Sequence, residues 1–573
     1  MDQIKRLFFM VAALLGICFL QPALFADQFQ ELWQTTEAVH DDAANEPFDL
    51  VVTADGMIYL SYGYEGSTYF TAAGKLAKIN DAGHFLWRKT VASDGISGIQ
   101  IRVDANENIY TASAIIPDII GAPCQSYFSK YKTGGALAWR HANSSQATCF
   151  AMGAITADDR FAFALTKAVY LGPWLGYANQ LWLGAYSPDG TQEWLSRWDQ
   201  DITDGDEVPA ALLPDREGNF YIFGENLDSD YKTILAGKYT SAGKNLWKYS
   251  VNDSSYNNFV AGAVDEQGNT YVTGYFDSVS DYLFVFSADP QGQIRWENFY
   301  GHYLAGDHRP SAFALTPAGD VLVAGYTTNE NGDKDLLLLC FSAEGEGKWL
   351  WQQDESLGGD DLLAYGALAV DAGGNAYLVG VVDSGSVWNR KLYKIDSQGE
   401  LVAAIECGAQ DQSYRPAEIG LDAAGNVYLA ATENDAVWIG KYGQICDGCR
   451  IDGLCRAAGE ANPDNPCEVC DPPQNEDAWS AAADDTVCDD GLFCNGADRC
   501  LAGACSGHEG DPCEAADSCD ETADQCVPAA TDDDDTGGDD AADDDAPDDD
   551  DGGAADDDAP DDDDDNDDLT CCG

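Results

Sequence analysis

Basic side chains are scarce: 30 lysines and arginines stand against 100 aspartates and glutamates, a formal net charge of −70 over 573 residues. Sequence-independent binding to nucleic acid, which needs cations on the phosphates, is thereby excluded. Histidine is scarcer still. The six are His40, His84, His141, His302, His308 and His508; they compose no HExxH zinc motif, and no nucleophile elbow accompanies them. Beyond the N-terminal segment no apolar run reaches the ~20 residues that span a bilayer, so no transmembrane helix is expected in the mature chain. Apolar material is nonetheless plentiful, with 45% hydrophobic and 11% aromatic residues, enough to fill a large core. The charge is graded along the chain: −30 on residues 1–445, −17 on 446–530 and −23 on the last 43.

Lys5 and Arg6 precede fourteen apolar or small residues, Leu7 to Leu20, and small Ala26 follows. This pattern reads as a secretory signal peptide over 1–26. Cys18 raises the alternative of lipidation, but Ile17 precedes it where a small residue is wanted. Of nineteen cysteines, twelve lie between Cys446 and Cys526: Cys446, Cys449, Cys455, Cys467, Cys470, Cys488, Cys494, Cys500, Cys505, Cys513, Cys519 and Cys526. An even dozen in an exported segment reads as disulfides. The zinc alternative rests on Cys446-x-x-Cys449 and Cys467-x-x-Cys470 and lacks nearby histidines. Cys124 with Cys149 is a further disulfide candidate, and Cys340 with Cys407 a weaker one; spacing does not fix the connectivity.

Between residues 48 and 442 the chain repeats about every fifty residues, a period of propellers or solenoids. The best copy reads AVDEQGNTYVTG, a second apolar run, then DPQGQIRW. Aligned on the aromatic after Gly-Asn, the anchors are Tyr59, Tyr110, Ala162, Tyr221, Tyr271, Leu322, Tyr377 and Tyr428. Asp-x-x-Gly-Asn between apolar runs predicts a tight hairpin, with Gly218, Gly268, Gly374 and Gly425 at positive φ. Glycine four residues before tryptophan, as in Gly243/Trp247, marks a second hairpin, so each unit supplies four strands. The seventh unit departs, with Ala403 following Gly399, and the eighth ends one strand short. The segment Phe29 to Thr35, containing Leu32-Trp33, resembles a fourth strand with no hairpin before it. The expectation is an all-β, eight-bladed β-propeller, seven being the alternative, closed by this N-terminal strand.

The GNxYVTG turn followed by Gly-x-x-x-Trp resembles the bacterial beta-propeller repeat known as SBBP, over about 400 residues. That resemblance implies the fold and carries no site with it. The Gly-x-x-x-Trp element is also similar to repeats of quinoprotein dehydrogenases and of the eight-bladed outer-membrane assembly lipoprotein. The quinone site of the former uses an adjacent cysteine pair, and here the only such pair is Cys571-Cys572, outside the propeller.

Candidate sites are few. His302 and His308 share the connection between units five and six with Asp307 and Arg309, and read as solvated loop residues. Two oxygen-rich loops could hold calcium, a cation wanting six to eight oxygens: Asp199 to Asp206, and Asn329, Asn331, Asp333 and Asp335. No other cofactor is expected. Two apolar loops, Ile115-Ile116-Pro117-Asp118-Ile119-Ile120 and Pro173-Trp174-Leu175-Gly176-Tyr177, are candidates for a binding patch if both project from one rim. Its residues are Ile115, Ile116, Ile119, Ile120, Trp174 and Tyr177.

Residues 446–530 are loop-rich, and their CDDGLFCNG run resembles cysteine-rich modules of secreted proteins likened to disintegrin or Dickkopf domains. Too few apolar side chains remain for a core, so crosslinks must hold the segment. From Thr531 an aspartate-rich stretch runs to Asp568 without a basic residue and predicts a disordered spacer. It ends in Cys571-Cys572-Gly573, candidate anchors that resemble bacterial sorting tails but lack their apolar helix. The functional expectation is an exported, cell-surface, non-enzymatic propeller, a binding or adhesion scaffold on a stalk for a surface protein or polysaccharide. The alternatives are an enzyme with a site on the ring axis and an envelope-assembly scaffold.

Overall fold

The computed structural model describes residues 28–528, apart from segments 38–44, 65–72, 93–95, 116–123, 146–149, 173–175, 199–205, 228–231, 252–255, 278–280, 302–305, 355–360, 384–387, 409–416, 434–435, 446–447, 452–453, 457 and 516. The signal segment, the acidic tail and Cys18, Cys571 and Cys572 lie outside the described residues.

The repeated turns close hairpins in one way. In Asp265–Asn269 the Asp265 N–H donates to the Asn269 carbonyl and the Gly268 N–H to the Asp265 carbonyl, both at 3.0 Å. The Asp265 carboxylate accepts the amides of Gln267 and Asn269 and the Asn269 side-chain amide. Gly268, at φ +82°, supplies the left-handed residue that ends such a loop. Thr53, Thr156 and Thr316 replace the aspartate by accepting the amide four residues on through their hydroxyls.

The flanking strands pair into four-stranded antiparallel sheets, eight among the described residues. Seven use consecutive strands. The last is drawn from both ends of the segment, in the order Gln28–Glu37, Ala436–Ile445, Val427–Glu433, Ala417–Leu421. Its N-terminal strand runs antiparallel to its neighbour from Gln28 opposite Ile445 to Glu37 opposite Val437, with a bulge between Glu31 and Trp33. Middle strands are covered on both faces, which is why Val321–Ala324 and Leu336–Cys340 are unbroken apolar runs. Each apolar cluster joining two sheets unites successive ones, and one unites last with first: Leu50, Leu60 and Ile79 pack with Tyr428, Val437 and Ile439.

The outer tryptophans join sheet to sheet. Each indole lies against the positive-φ glycine of the following sheet's second hairpin: Trp33 on Gly83, Trp87 on Gly135, Trp139 on Gly190, Trp194 on Gly243, Trp247 on Gly292, Trp296 on Gly345 and Trp349 on Gly399. Each indole N–H donates to a carbonyl of the same turn at 2.7–3.2 Å. A Cβ on Gly243 would stand 2.5 Å from the Trp194 ring, so the glycine serves conformation and space together. Ala403 replaces this tryptophan in the seventh sheet. The eighth has no second hairpin, because its outer strand is the chain's N-terminal one, and so it offers no glycine turn to receive an indole.

Two compact units are present, one running through residue 486 with 500–504, the other made of 487–499 and the residues from 505 on. The first carries disulfides Cys449–Cys470 and Cys467–Cys500; the second carries Cys488–Cys505, Cys494–Cys519 and Cys513–Cys526. Cys449, Cys467 and Cys470 are therefore unavailable to zinc, which removes the zinc reading of the Cys-x-x-Cys pairs. Cys446 lies outside the described residues, as does the side chain of Cys455. Cys124 is disulfide-bonded, and its candidate partner Cys149 lies outside the described residues. Cys340 and Cys407 are buried free thiols, so the pairing weighed for them does not occur. Cys340 faces Leu322 on one side and Trp349 on the other within the sixth sheet, while Cys407 belongs to the core shared by the seventh and eighth. Burial pushes both thiols up to about 12. No helix among the described residues is long and apolar enough to cross a membrane. Five disulfides among those residues accord with an exported chain.

Candidate functional site on the first strands

The first strands of the eight sheets are Asn45–Val52, Ile96–Val103, Ala151–Ile155, Asp206–Pro214, Tyr256–Val264, His308–Leu315, Asp361–Val370 and Ala417–Leu421. Each touches the first strands before and after it, and the last touches the first. Four residues before the turn, these strands carry Asp49, Gln100, Met152, Ala211, Ala261, Ala312, Ala367 and Glu418. Seven of the eight oppose their second strand in one register, as Asp49 faces Ser61, Ala312 faces Ala324 and Glu418 faces Ala430. Small or apolar residues fill this level in sheets three to seven. Polar ones occupy sheets eight, one and two, across the junction of the two chain ends.

Within that sector Asp49 Oδ2 accepts the Ile101 amide at 2.8 Å and lies 3.1 Å from Arg102 Nη1. Gln100 Oε1 accepts the Gly153 amide at 2.8 Å in the same manner, so each side chain clasps the next first strand. Asp49 and Arg102 keep 20% and 36% of their side-chain surface exposed. Burial holds the Asp49 carboxyl above its ordinary range against the pull of Arg102. Glu418 is pushed up to about 8, first by burial and then by the Asp49 charge. The sector thus combines two carboxyl groups, both made less acidic by burial, with an amide and a guanidinium. This set both donates and accepts hydrogen bonds. The alignment signal was present in the sequence, as a polar residue at one level in three adjacent units, but it emerges only once the registers are known.

A second repeated constellation is structural. Anchor tyrosines face lysines across the sheet: Tyr59 and Lys78, Tyr110 and Lys130, Tyr221 and Lys238, Tyr377 and Lys394, Tyr428 and Lys441. The ammonium groups lie 4.6–5.8 Å from the ring centres. Where the tyrosine is missing the lysine is missing too, as in Ala162 opposite Ala185 and Leu322 opposite Cys340. Tyr271 faces Ser287, and Arg295 supplies the cation, donating to the phenol oxygen at 3.3 Å.

The sequence-derived candidates fall as follows. Ile115 ends the strand Ile109–Ile115; Ile116, Ile119, Ile120 and Trp174 lie outside the described residues, and Tyr177 pairs with Tyr170 through its backbone. The loop at Asp199–Asp206 is described only from Asp206 on, and His302 is not described. His308 is buried, not solvated: Nδ1 lies 2.6 Å from Thr327 Oγ1, the ring meets Tyr300 edge-on, and Arg309 pairs with buried Asp281. In the candidate calcium loop the Asn329 side-chain amide donates to Asp335 at 2.8 Å, while Asn329 Oδ1 accepts the amides of Asn331 and Asp333. Gln352 donates to the second Asp335 oxygen. The loop is a hairpin turn in which the Asn329 oxygen is taken by the turn's own amides and the Asp335 carboxylate by the side-chain amides of Asn329 and Gln352.

No protein-family model matches the sequence, and no curated protein is significantly similar to it. Propeller-like solved structures are similar in fold. Polysaccharide lyase Uly1 is 7% identical with a TM-score of 0.40, covering 69% of this chain and 89% of its own. A PL25 ulvan lyase is 8% identical with a TM-score of 0.35, covering 69% and 94%. A puromycin hydrolase mutant is 12% identical with a TM-score of 0.36, covering 67% and 58%. These likenesses concern the fold alone. They also correct the expectation that the chain is not an enzyme: solved structures of similar fold include polysaccharide lyases and a hydrolase.

Proposed function

We propose that the chain is an exported propeller of the SBBP kind, with eight blades closed by its N-terminal strand, that binds a polysaccharide at the Glu418, Asp49, Gln100 and Arg102 sector. The cysteine-rich segment and the acidic tail hold it from the cell surface, with Cys571 or Cys572 as anchor. One observation carries the reading: among the eight first strands, seven of them in a common register, polar side chains occupy the level four residues before the turn only in three neighbouring sheets. Sugar hydroxyls both donate and accept, as this sector does. The net charge of −70 disfavours acidic glycans, so the ligand is neutral or cationic.

The test is a glycan array probed with the purified chain near neutral pH. Glu418→Ala and Arg102→Ala are expected to weaken capture about tenfold, with Glu418→Gln closer to wild type because it keeps a donor. Unchanged capture in both alanine variants, or capture of a surface protein and no glycan, would overturn the reading.

A further inference from the structure

The second unit holds a cluster that neither the sequence motifs nor the ring explains. Asp490, Asp498 and His508 bring one ligand atom each within 4.8 Å of one another. His508 Nδ1 is 2.8 Å from Asp498 Oδ1 and 3.8 Å from Asp490 Oδ2, and the Asn495 amide nitrogen lies 2.9 Å from Asp490 Oδ2 and 3.1 Å from His508 Nδ1.

Two features of the cluster are unsatisfied by hydrogen bonding alone. The single nitrogen His508 Nδ1 faces an acceptor, Asp498, and a donor, the Asn495 amide. If protonated it opposes the amide; if bare it opposes the carboxylate. Meanwhile Asn495 Oδ1 is buried with no hydrogen-bond partner, a state that costs about 1–3 kcal/mol. Turning the amide by half a rotation exchanges its two ends, bringing the oxygen toward Asp490 and His508. Four lone-pair donors then converge, and a cation among them resolves the conflict at His508 Nδ1.

The surroundings suit a built metal site. The outer oxygen of each carboxylate is fixed by a backbone amide: Asp498 Oδ2 accepts from Asp490 N and Asp490 Oδ1 from Leu492 N, each at 2.9 Å. The inner oxygens are left to face the imidazole. Disulfides Cys488–Cys505 and Cys494–Cys519 fix the segments that carry these residues. Asp498 is only 5% exposed. Four ligands at ~2.1 Å around a tetrahedral ion stand roughly 3.4 Å apart, within the spread seen here. An imidazole among the ligands favours a transition ion over calcium or magnesium.

We infer that Asp490, Asn495, Asp498 and His508 form a binding site for one divalent transition-metal ion of the zinc kind. It differs from the Cys-x-x-Cys sites that the disulfides remove, and it adds a metal clip to a unit with little apolar core.

The full-length chain, stripped with chelator, is equilibrated with zinc in excess calcium, which occupies the acidic tail, then desalted. Wild type should retain one zinc per chain more than His508→Gln, whose side chain is one-third exposed and whose thiol count should stay that of wild type. Zinc-edge X-ray absorption on the wild type should show one imidazole in the ligand shell. Equal retention by both proteins, or a shell without imidazole, overturns the assignment. If the variant releases thiols, the wild-type spectrum alone decides.

Discussion

Replacing Trp33 by alanine removes the indole from Gly83, its N–H bond to the Asp81 carbonyl at 2.7 Å, and its edge contact with Tyr428 at 6.3 Å between ring centres. A fully buried Trp→Ala costs about 3–5 kcal/mol. Trp33 is half-buried, so the packing share is about 2 kcal/mol, and the lost hydrogen bond adds about 1. Unfolding entropy near 2 cal/mol/K per residue over some 400 cooperative residues gives roughly 0.8 kcal/mol/K, so the Tm should fall by ~4 °C. Trp247→Ala is the internal standard, because its indole meets Gly292 and the Pro290 carbonyl in the same geometry but far from the chain ends. Differential scanning calorimetry of both variants should give like shifts. A Trp33 effect below a third of the Trp247 effect would refute the docking of the N-terminal strand.

Lys238→Met should cost about 2 kcal/mol in chemical denaturation, since the buried Asp215 carboxylate, 3.3 Å away, loses its counter-charge and keeps only the amides of its own turn. A double change of Tyr221 and Lys238 to alanine should cost less than the sum of the singles, because Ala162 and Ala185 already form such a pair. The raised Glu418 carboxyl means that the folded chain binds more protons there than the unfolded one between pH 4.5 and about 8. That contribution to stability is present below pH 4.5 and is lost as pH rises through 8, so Tm falls across the window, and Glu418→Gln should flatten this part of the curve. Mild reduction should open residues 487–499 and 505–528 to protease while the four-stranded sheets stay resistant, since that unit rests on three disulfides and small sheets.

The turns were legible because Asp, Gly and Asn act within five residues, and the tryptophan hairpins for the same reason. What tryptophan does was not, since Trp194 acts on Gly243 in the next unit. Tyrosine and its lysine escaped notice because the connection between their strands varies, placing them 13 to 20 residues apart. Asp49 and Glu418 are brought together from opposite ends of the repeat, and His508 joins Asp490 through a disulfide-held reversal. Ala403, a departure in the sequence, became intelligible once the eighth sheet proved to lack the hairpin its tryptophan would have met.

Hydrogen exchange on the N-terminal strand tests the closure most directly. Amides of Gln30–Glu37 should exchange as slowly as those of Ile294–Tyr300, the outer strand of the fifth sheet. Exchange within seconds at 30–37, with 294–300 still protected, would mean that the strand does not seal the eighth sheet and that the polar sector beside it is not built as described.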